Sequence, residues 1–244
     1  MNERSCSWLT KYDQPFTFGN PLVPSGGVAI DTPGGVRTPQ QDRSRRAVRR
    51  LLDAAEATFA EQGYDRASVR DIAARANVPK SSLYQFFRNK EAVLEAVVAD
   101  LSEEIDRVFS ELGDLDVGVD GEPTVRSPLE VIVDHVVGRV IDVAARRPAF
   151  RTLFSGLAAA GPLADAGERL RERYRSHIED VMVRADAPSV VGYAQVSLVC
   201  AEIARGLLPR IVDEWGDIDR DLAPELSFAT TGYLESVKER SARR

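Results

Sequence analysis

A compact run of polar side chains lies in the first half of the chain. Its members can all form hydrogen bonds: Lys80, Ser81, Ser82, Tyr84 and Gln85. Leu83 and Phe87 are four residues apart, and in a helix they would share the opposite, inward face. A short helix of this design can enter the major groove of double-stranded DNA, with polar groups at its N-terminal end facing the base edges.

Patterns typical of enzymes are missing from the sequence. It contains no His-Glu-x-x-His, no phosphate-cradling glycine loop and no Cys-x-x-Cys, and its 244 residues include two histidines. Cys6 and Cys200 lie far apart in different contexts, so we expect two free thiols rather than a disulfide. We expect no catalysis, no metal and no cofactor.

A longer helix would support the polar run from the N-terminal side. Between Gln41 and Gln62 the apolar residues follow helical spacing, and Gly63 is suited to end the helix. The apolar positions are Val48, Leu51, Leu52, Ala55 and Phe59.

Two short helices with a tight turn between them would carry the run itself. Ser68 and Asp71 form a capping-box pattern at the start of a helix over Ser68–Ala76. Asn77 tolerates the left-handed conformation that a sharp turn requires, and Pro79 can start a third helix through Phe87. Ile72, Ala73 and Val78 would face inward with Leu83 and Phe87. The spacing alone fits a helix-turn-helix and an ordinary helical hairpin equally.

Charge is distributed unevenly along the chain. Residues 37–90 hold twelve Lys and Arg against six Asp and Glu, a net charge of +6, whereas residues 91–244 hold eighteen against twenty-nine, a net charge of −11. A basic DNA-binding head on an acidic body would show this asymmetry, although a basic solvated face gives the same count.

A pattern that runs from Ala54 to Leu94 resembles the DNA-binding domain of the tetracycline-repressor (TetR) family. The matching positions are Ala54, Ala55, Phe59, Gly63, Tyr64, Ser68, Val69, Asp71, Ile72, Ala73, Asn77, Val78, Ser82, Leu83, Tyr84, Phe87, Lys90, Glu91 and Leu94. A spaced pattern of this length is far more specific than a short motif. The resemblance implies an all-α protein with an N-terminal three-helix DNA-binding domain and a C-terminal helical domain for ligand binding and dimerisation.

The resemblance also implies roles for single residues. Tyr84 and Lys90 occupy positions that usually contact the DNA backbone, and Lys80, Ser81, Ser82 and Gln85 lie where base edges are reached. Ser68, at a helix N-terminus, can assist phosphate binding.

Three positions depart from the common family pattern. Asn77 stands where glycine is usual, Pro79 where serine often opens the recognition helix, and Phe86 where histidine is frequent. Phe86 could contact a thymine methyl group. The departures bear on which operator sequence is bound. The expectation of DNA binding is unchanged.

Arginines are concentrated where the first helix begins. Among them we expect Arg45 and Arg46 to contact phosphates or the minor groove, with a solvated face as the alternative.

The remaining sequence predicts three regions. Residues 1–40 are rich in Pro, Gly, Ser and Thr and read as a disordered leader; residues 41–90 form the DNA-binding domain; residues 91–244 form the body. In the body, Asn89 caps a fourth helix that continues towards Leu112, and Gly113–Ser127 is a loop. Pro128 opens a helix through Arg147, and further helices follow at about 148–160, 162–185, 189–212 and 219–240.

The last two helices are expected to form a homodimer interface, because the first is apolar nearly all round and the second mixes large anchors with small residues. The resemblance places a ligand pocket between head and interface. The polar residues that could line it are His135, Arg139, Tyr174, His177, Tyr193 and Gln195. The scarcity of aromatic residues favours an aliphatic pocket and a lipophilic effector.

The sequence is compatible with two functions. The first is a repressor that a small molecule releases from a palindromic operator, and the second is an architectural or interaction factor of the same fold without effector sensing. We expect a cytoplasmic protein, since we see neither a membrane span nor a signal peptide.

Overall fold

The computed structural model describes residues 39–114, 127–156, 160–184 and 192–243, and it confirms the all-α fold class. The helices of these ranges are α1 (Pro39–Gln62), α2 (Val69–Arg75), α3 (Lys80–Phe86), α4 (Lys90–Ser110), α5 (Pro128–Arg146), α6 (Pro148–Phe154), α7 (Pro162–Arg184), α8 (Tyr193–Ile211) and α9 (Ala223–Ala242). A single 3-10 turn, Glu111–Asp114, follows α4. None of the described helices is long and apolar enough to cross a membrane.

The chain divides into two compact units between residues 47 and 48. In the first unit the structure describes residues 39–47, which form the opening turns of α1. The predicted leader over residues 1–40 therefore falls almost entirely outside the described residues, as does most of the predicted loop Gly113–Ser127. The second unit holds every other element.

The head, as we call α1 from Val48 onward with α2 and α3, is built around the apolar stripe that the sequence predicts. Leu51, Ala55 and Phe59 of α1 are buried, and so are Ile72 of α2 and Leu83 of α3. Gly63 has a φ of 76° and ends α1, as expected. Removal of these side chains from water is the main force that holds the short helices α2 and α3 in place.

The cap of α2 differs in one respect from the predicted capping box. The Ser68 hydroxyl accepts a hydrogen bond from the Asp71 backbone N–H at 3.2 Å, as the pattern predicts. The Asp71 carboxylate, however, accepts from the Ser68 hydroxyl at 2.6 Å instead of reaching the backbone N–H of Ser68. Aspartate is one methylene shorter than the usual glutamate, and α5, where Glu130 pairs with Ser127, forms the complete box.

Three helices of the body have different bounds from those predicted. The predicted helix 148–160 ends at Phe154, because Gly156 takes a φ of 66° and its N–H bonds the Leu153 carbonyl. The predicted helix 189–212 begins at Tyr193, after Gly192 with a φ of 61°. The predicted helix 219–240 begins at Ala223. Before this point the Asp219 carboxylate accepts hydrogen bonds from the N–H groups of Asp221 and Leu222.

The body, as we call α4–α9, is held by one large apolar core and a smaller one. The large core is continuous with that of the head and includes the stacked rings of Phe150 and Phe154, whose centroids are 5.1 Å apart. The smaller core joins α7, α8 and α9 through Met182, Val196, Cys200 and Val237. Cys200 is a free, buried thiol, as predicted.

Candidate DNA interface and ligand cavity

The turn between α2 and α3 has the geometry that a helix-turn-helix requires. The Asn77 N–H bonds the Ala74 carbonyl at 3.1 Å, and the Val78 N–H bonds the Ala73 carbonyl at 3.1 Å. These two bonds form a Schellman motif, in which Asn77 holds the left-handed position with a φ of 52°. The prediction for Asn77 is confirmed.

The outer face of α3 carries the predicted polar run. Lys80, Ser81 and Gln85 are exposed, Ser82 is half-buried, and Tyr84 is 48% exposed with the Lys80 ammonium 5.6 Å from its ring centroid. Leu83 and Phe87, by contrast, are buried on the inner face. The helix therefore separates a polar, cationic surface from the core that fixes its orientation.

Phe86 extends this exposed face with an apolar group. Its side chain is 37% exposed, and its ring centroid lies 6.5 Å from that of buried Phe87. A ring held in this way at the end of α3 is available to a methyl group or sugar of a partner.

Lys90 fastens the head to the body. Its ammonium donates to the Tyr64 carbonyl at 2.6 Å and to the Asp65 carbonyl at 3.3 Å, and it lies 4.2 Å from the centroid of the Tyr64 ring. Its neighbour Asn89 caps α4 by accepting from the Ala92 N–H at 2.8 Å. The first turn of α4 is thus tied to the loop between α1 and α2.

The remaining residues that the sequence predicts to contact DNA are Ser68, Arg45 and Arg46. Ser68 is half-buried, and its hydroxyl is already engaged with Asp71. Arg45 and Arg46 lie in the opening turns of α1 and are exposed. The DNA-binding roles of these residues stay predictions.

A cavity of about 420 Å³ lies in the body and is lined by residues of α5, α7, α8 and α9 and by the end of α4. Its wall is mainly aliphatic. The side chains that form this apolar wall include Leu112, Ile132, Val133, Val136, Val137, Ile178, Val181, Met182, Leu234 and Val237. The volume lies within the range of small-molecule sites.

Tyr174 is the predicted pocket residue that lines the cavity. Its side chain is 4% exposed, and its ring meets those of Phe109 and Phe154 edge-on, with centroids 5.6 and 5.3 Å away. Burial raises the pKa of Tyr174, so that the phenol is neutral at physiological pH. Burial likewise raises the pKa of Cys200, another lining residue, to about 12.

The two histidines and Arg139 are held beside the cavity instead of in its wall. Arg139 makes two 2.9 Å hydrogen bonds to Glu111, and His135 Nε2 lies 3.3 Å from the same carboxylate. His177 Nε2 lies 2.8 Å from Asp106 Oδ1, and its ring stacks on that of Phe109 with centroids 4.8 Å apart. These residues fix the end of α4 and the 3-10 turn.

Asp106 has an unusually acidic carboxyl as a result. Burial raises its pKa, but the hydrogen bonds from His177 and Arg173 outweigh burial and bring the pKa down to about 2. Arg173 contributes two bonds, of 2.7 and 2.9 Å. Tyr193 and Gln195 lie in the first turn of α8; neither lines the cavity, and Gln195 is exposed.

Sequence reasoning missed most of the cavity wall and one buried cation. The wall is contributed by aliphatic side chains, and its signal was the helical spacing of Leu129, Ile132, Val136 and their neighbours on α5. The cation is Arg147, which is 6% exposed and follows the C-terminal end of α5.

Arg147 joins the head to the body. Its Nε donates to Glu56 of α1 at 3.0 Å, and its Nη2 donates to Glu56 and, at 2.5 Å, to Asp100 of α4. Burial lowers the pKa of Arg147, but the hydrogen bonds and charges of the two carboxylates outweigh burial and raise the pKa overall. Arg49 of α1 also binds Asp100, with two 3.0 Å hydrogen bonds.

An apolar surface is left on α8 and α9. Phe228 is 76% exposed and Leu198 is 45% exposed, and the neighbouring Ala229 and Gly232 are exposed as well. Small residues beside large ones allow two helices to approach closely.

A head with a helix-turn-helix on a helical body that encloses an apolar cavity defines a class, the helix-turn-helix transcription regulators. Two family models match the chain: "Bacterial regulatory proteins, tetR family" over residues 51–97 and "Tetracyclin repressor-like, C-terminal domain" over residues 128–234. The chain belongs to the TetR family of transcriptional regulators.

Individual relatives are distant. The chain is 32% identical over 95 residues to the A-factor receptor protein of Streptomyces griseus. The aligned region covers 39% of this chain and 29% of the relative. It is 24% identical over 190 residues to the transcriptional regulator UidR of Escherichia coli, in an alignment that covers 74% of this chain and 86% of the relative. The chain spans less than half the length of the first curated relatives that it matches.

A solved structure agrees with the fold over most of the chain. It is a TetR-family transcriptional regulator from Streptomyces coelicolor, with 26% identity and a TM-score of 0.52. The match covers 78% of this chain and 99% of that one.

Proposed function

We propose that this chain represses transcription by binding a palindromic operator as a homodimer, and that a small lipophilic molecule in the cavity releases it from DNA. The observation that carries the proposal is the course of α4. Its first residue, Lys90, is bonded to the head, and Phe109, near its other end, lines the cavity. One rigid element therefore spans both sites.

DNA binding is proposed for the exposed face of α3. Lys80 supplies positive charge, Tyr84 a phenolic donor for a phosphate, and Ser81, Ser82 and Gln85 the hydrogen-bonding groups for base edges. The buried inner face of α3 supports this use, because a recognition helix has to be held rigidly by the domain behind it.

Dimerisation is proposed for the apolar surface on α8 and α9. A two-fold axis through this surface would bring two α3 helices to one face of a duplex, which is why a palindromic site is expected. Phe228 would be covered by the partner, since so large an exposed apolar side chain is uncommon at a free surface.

Release by the effector is proposed to use α4 and the cluster around Arg147. A molecule that wedges Phe109 outward favours a second position of α4, and the ion pairs of Asp100 and Arg147 transmit that shift to α1. An effector changes DNA affinity only by as much as it prefers one state over the other.

DNA binding is tested with the purified protein and the DNA flanking its own gene, at two or more salt concentrations. Lys80→Met should lower the slope of log affinity against log salt by about one per protomer, because it removes one phosphate charge contact. Tyr84→Phe should reduce affinity by about tenfold or more without changing that slope, because the lost hydrogen bond carries no charge. Lys90→Ala should weaken binding as well, since it removes a cation and frees the loop between α1 and α2.

Lys238→Met is the matched control for charge. Lys238 is an exposed cavity-lining residue of α9, on a different helix from the proposed DNA-binding face of α3. The control should leave affinity and slope unchanged, and all variants should remain dimers. Loss of the dimer in Tyr84→Phe or Lys90→Ala, or an unchanged slope in Lys80→Met, would contradict the assigned roles.

A further inference from the structure

Tyr174 brings a phenolic hydroxyl to the wall of the cavity. The residue is 4% exposed, and the structure shows no hydrogen bond between its hydroxyl and a described residue. A buried hydroxyl normally has a hydrogen-bond partner, because leaving it unpaired costs free energy. An acceptor on a molecule in the cavity can supply that partner.

The position of the Tyr174 phenol is fixed in advance. Phe109 and Phe154 hold the ring from two sides, at interplanar angles of 65° and 89°. Edge-on ring contacts of this kind are favourable and restrict rotation of the side chain. A hydroxyl that is already oriented can select ligands by the position of their acceptor.

The interior of the cavity offers no charge to a ligand. Among its described lining residues the charged side chains are Glu235 and Lys238, and both are exposed on α9. Burial keeps the Tyr174 phenol neutral, and it raises the pKa of the Cys200 thiol to about 12. An ionised group would lose its hydration here without a counter-charge, which is costly.

The remaining hydroxyls of the wall are already used as donors or caps. Thr230 donates to the Leu226 carbonyl at 2.8 Å, and Ser127 accepts from the Glu130 N–H at 3.2 Å as the cap of α5. Among the buried hydroxyl residues that the structure describes in the wall, Tyr174 is thus the one with its donor still available to a ligand.

We propose that the cavity selects uncharged, aliphatic molecules with a carbonyl or similar acceptor, and that this acceptor takes a hydrogen bond from the Tyr174 hydroxyl. This inference rests on the proposed function in that the cavity is taken as the effector site. It adds the chemical class of the ligand: a ketone, ester or lactone with an alkyl portion, as opposed to a fatty carboxylate.

The test uses two probes of equal chain length, 2-octanone and octanoate, titrated into the purified full-length protein at pH 8 by calorimetry. At this pH octanoate is fully ionised. The wild-type protein should bind 2-octanone at least about tenfold more tightly than octanoate. Tyr174→Phe, which removes only the hydroxyl, should bind 2-octanone about two- to tenfold more weakly.

Tyr233→Phe is the matched control. It removes the same hydroxyl from a half-buried tyrosine of α9 that does not line the cavity, and it should therefore leave 2-octanone affinity unchanged. Thermal unfolding of both variants checks that the fold is retained.

Each contrary result overturns a stated part of the inference. Octanoate binding as tight as 2-octanone would show that a charged end is accepted, for instance at Lys238. Equal 2-octanone affinity in the wild type and in Tyr174→Phe would show that the Tyr174 hydroxyl does not bond the ligand. If 2-octanone does not bind at millimolar concentration, the cavity is not a site for this class of molecule. If 2-octanone binds as expected but operator DNA is not released, the ligand class stands and the proposed release mechanism fails.

Discussion

Replacement of Arg147 tests the link between head and body most severely. Glu56 is 3% exposed, and Arg147 is the cation that pairs with it among the described residues. Arg147→Met keeps the volume and the apolar stem but leaves the Glu56 carboxylate buried and unpaired. Breaking a buried ion pair in this way costs about 3–5 kcal/mol of unfolding free energy. For a chain of this size such a loss lowers Tm by about 6–20 °C.

Arg146→Met is the control for this change. Arg146 is the preceding residue in sequence, but its side chain is 55% exposed and makes one 3.2 Å pair with Glu104. Exposed pairs contribute about 0–1 kcal/mol, so this variant should unfold nearly as the wild type does. The double variant Arg147→Met, Glu56→Met removes both charges and should recover most of the lost stability, since an apolar pair can replace a buried ion pair.

The assay is urea unfolding at pH 7 and at fixed protein concentration, because the stability of a dimer depends on concentration. A loss below about 1 kcal/mol in Arg147→Met, or no recovery in the double variant, would refute the reasoning.

The other predictions concern single contacts. Asn77→Gly should leave the free energy of unfolding within about 0.5 kcal/mol of the wild type and Asn77→Ala should lower it by about 1 kcal/mol, because the residue has a φ of 52°; equal loss in urea unfolding would contradict the turn geometry. Phe228→Asp should convert the dimer to monomers in analytical ultracentrifugation, and a persisting dimer would place the interface elsewhere. Asp106 has a folded-state pKa of about 2, below its unfolded value of about 3.9, so its ion pairs stabilise the fold above that value and are lost as the pH falls towards 2. Asp106→Asn should therefore flatten the fall of Tm between pH 4 and pH 2, and a parallel fall in both proteins would show that the pair with His177 contributes nothing.

The head could be predicted from sequence because its signals are local. The apolar spacing of α1, the left-handed position of Asn77 and the alternation of polar and apolar residues on α3 each depend on neighbours within a few residues. The structure confirms all three. Details that depend on side-chain length were missed, as in the cap of α2, where the carboxylate of Asp71 stops at the Ser68 hydroxyl.

The cavity could not be predicted to the same depth because it is assembled from five helices that are distant in sequence. Of the predicted pocket residues, Tyr174 lines the cavity, whereas His177 and Arg139 pair with carboxylates at the end of α4 and in the 3-10 turn. Arg147 follows Arg146 directly in the chain, and the sequence contains nothing that distinguishes the buried guanidinium from the exposed one. Their difference arises where α5 ends against α1 and α4.

The most direct test of DNA binding through α3 is a footprint of the purified protein on the DNA flanking its own gene, at low and at physiological salt. We expect a protected palindrome with steep salt dependence, bound by a dimer and weakened by Tyr84→Phe but not by Lys238→Met. Weak, sequence-indifferent protection that responds equally to both variants would contradict it, because the exposed face of α3 would then have no special part in binding DNA.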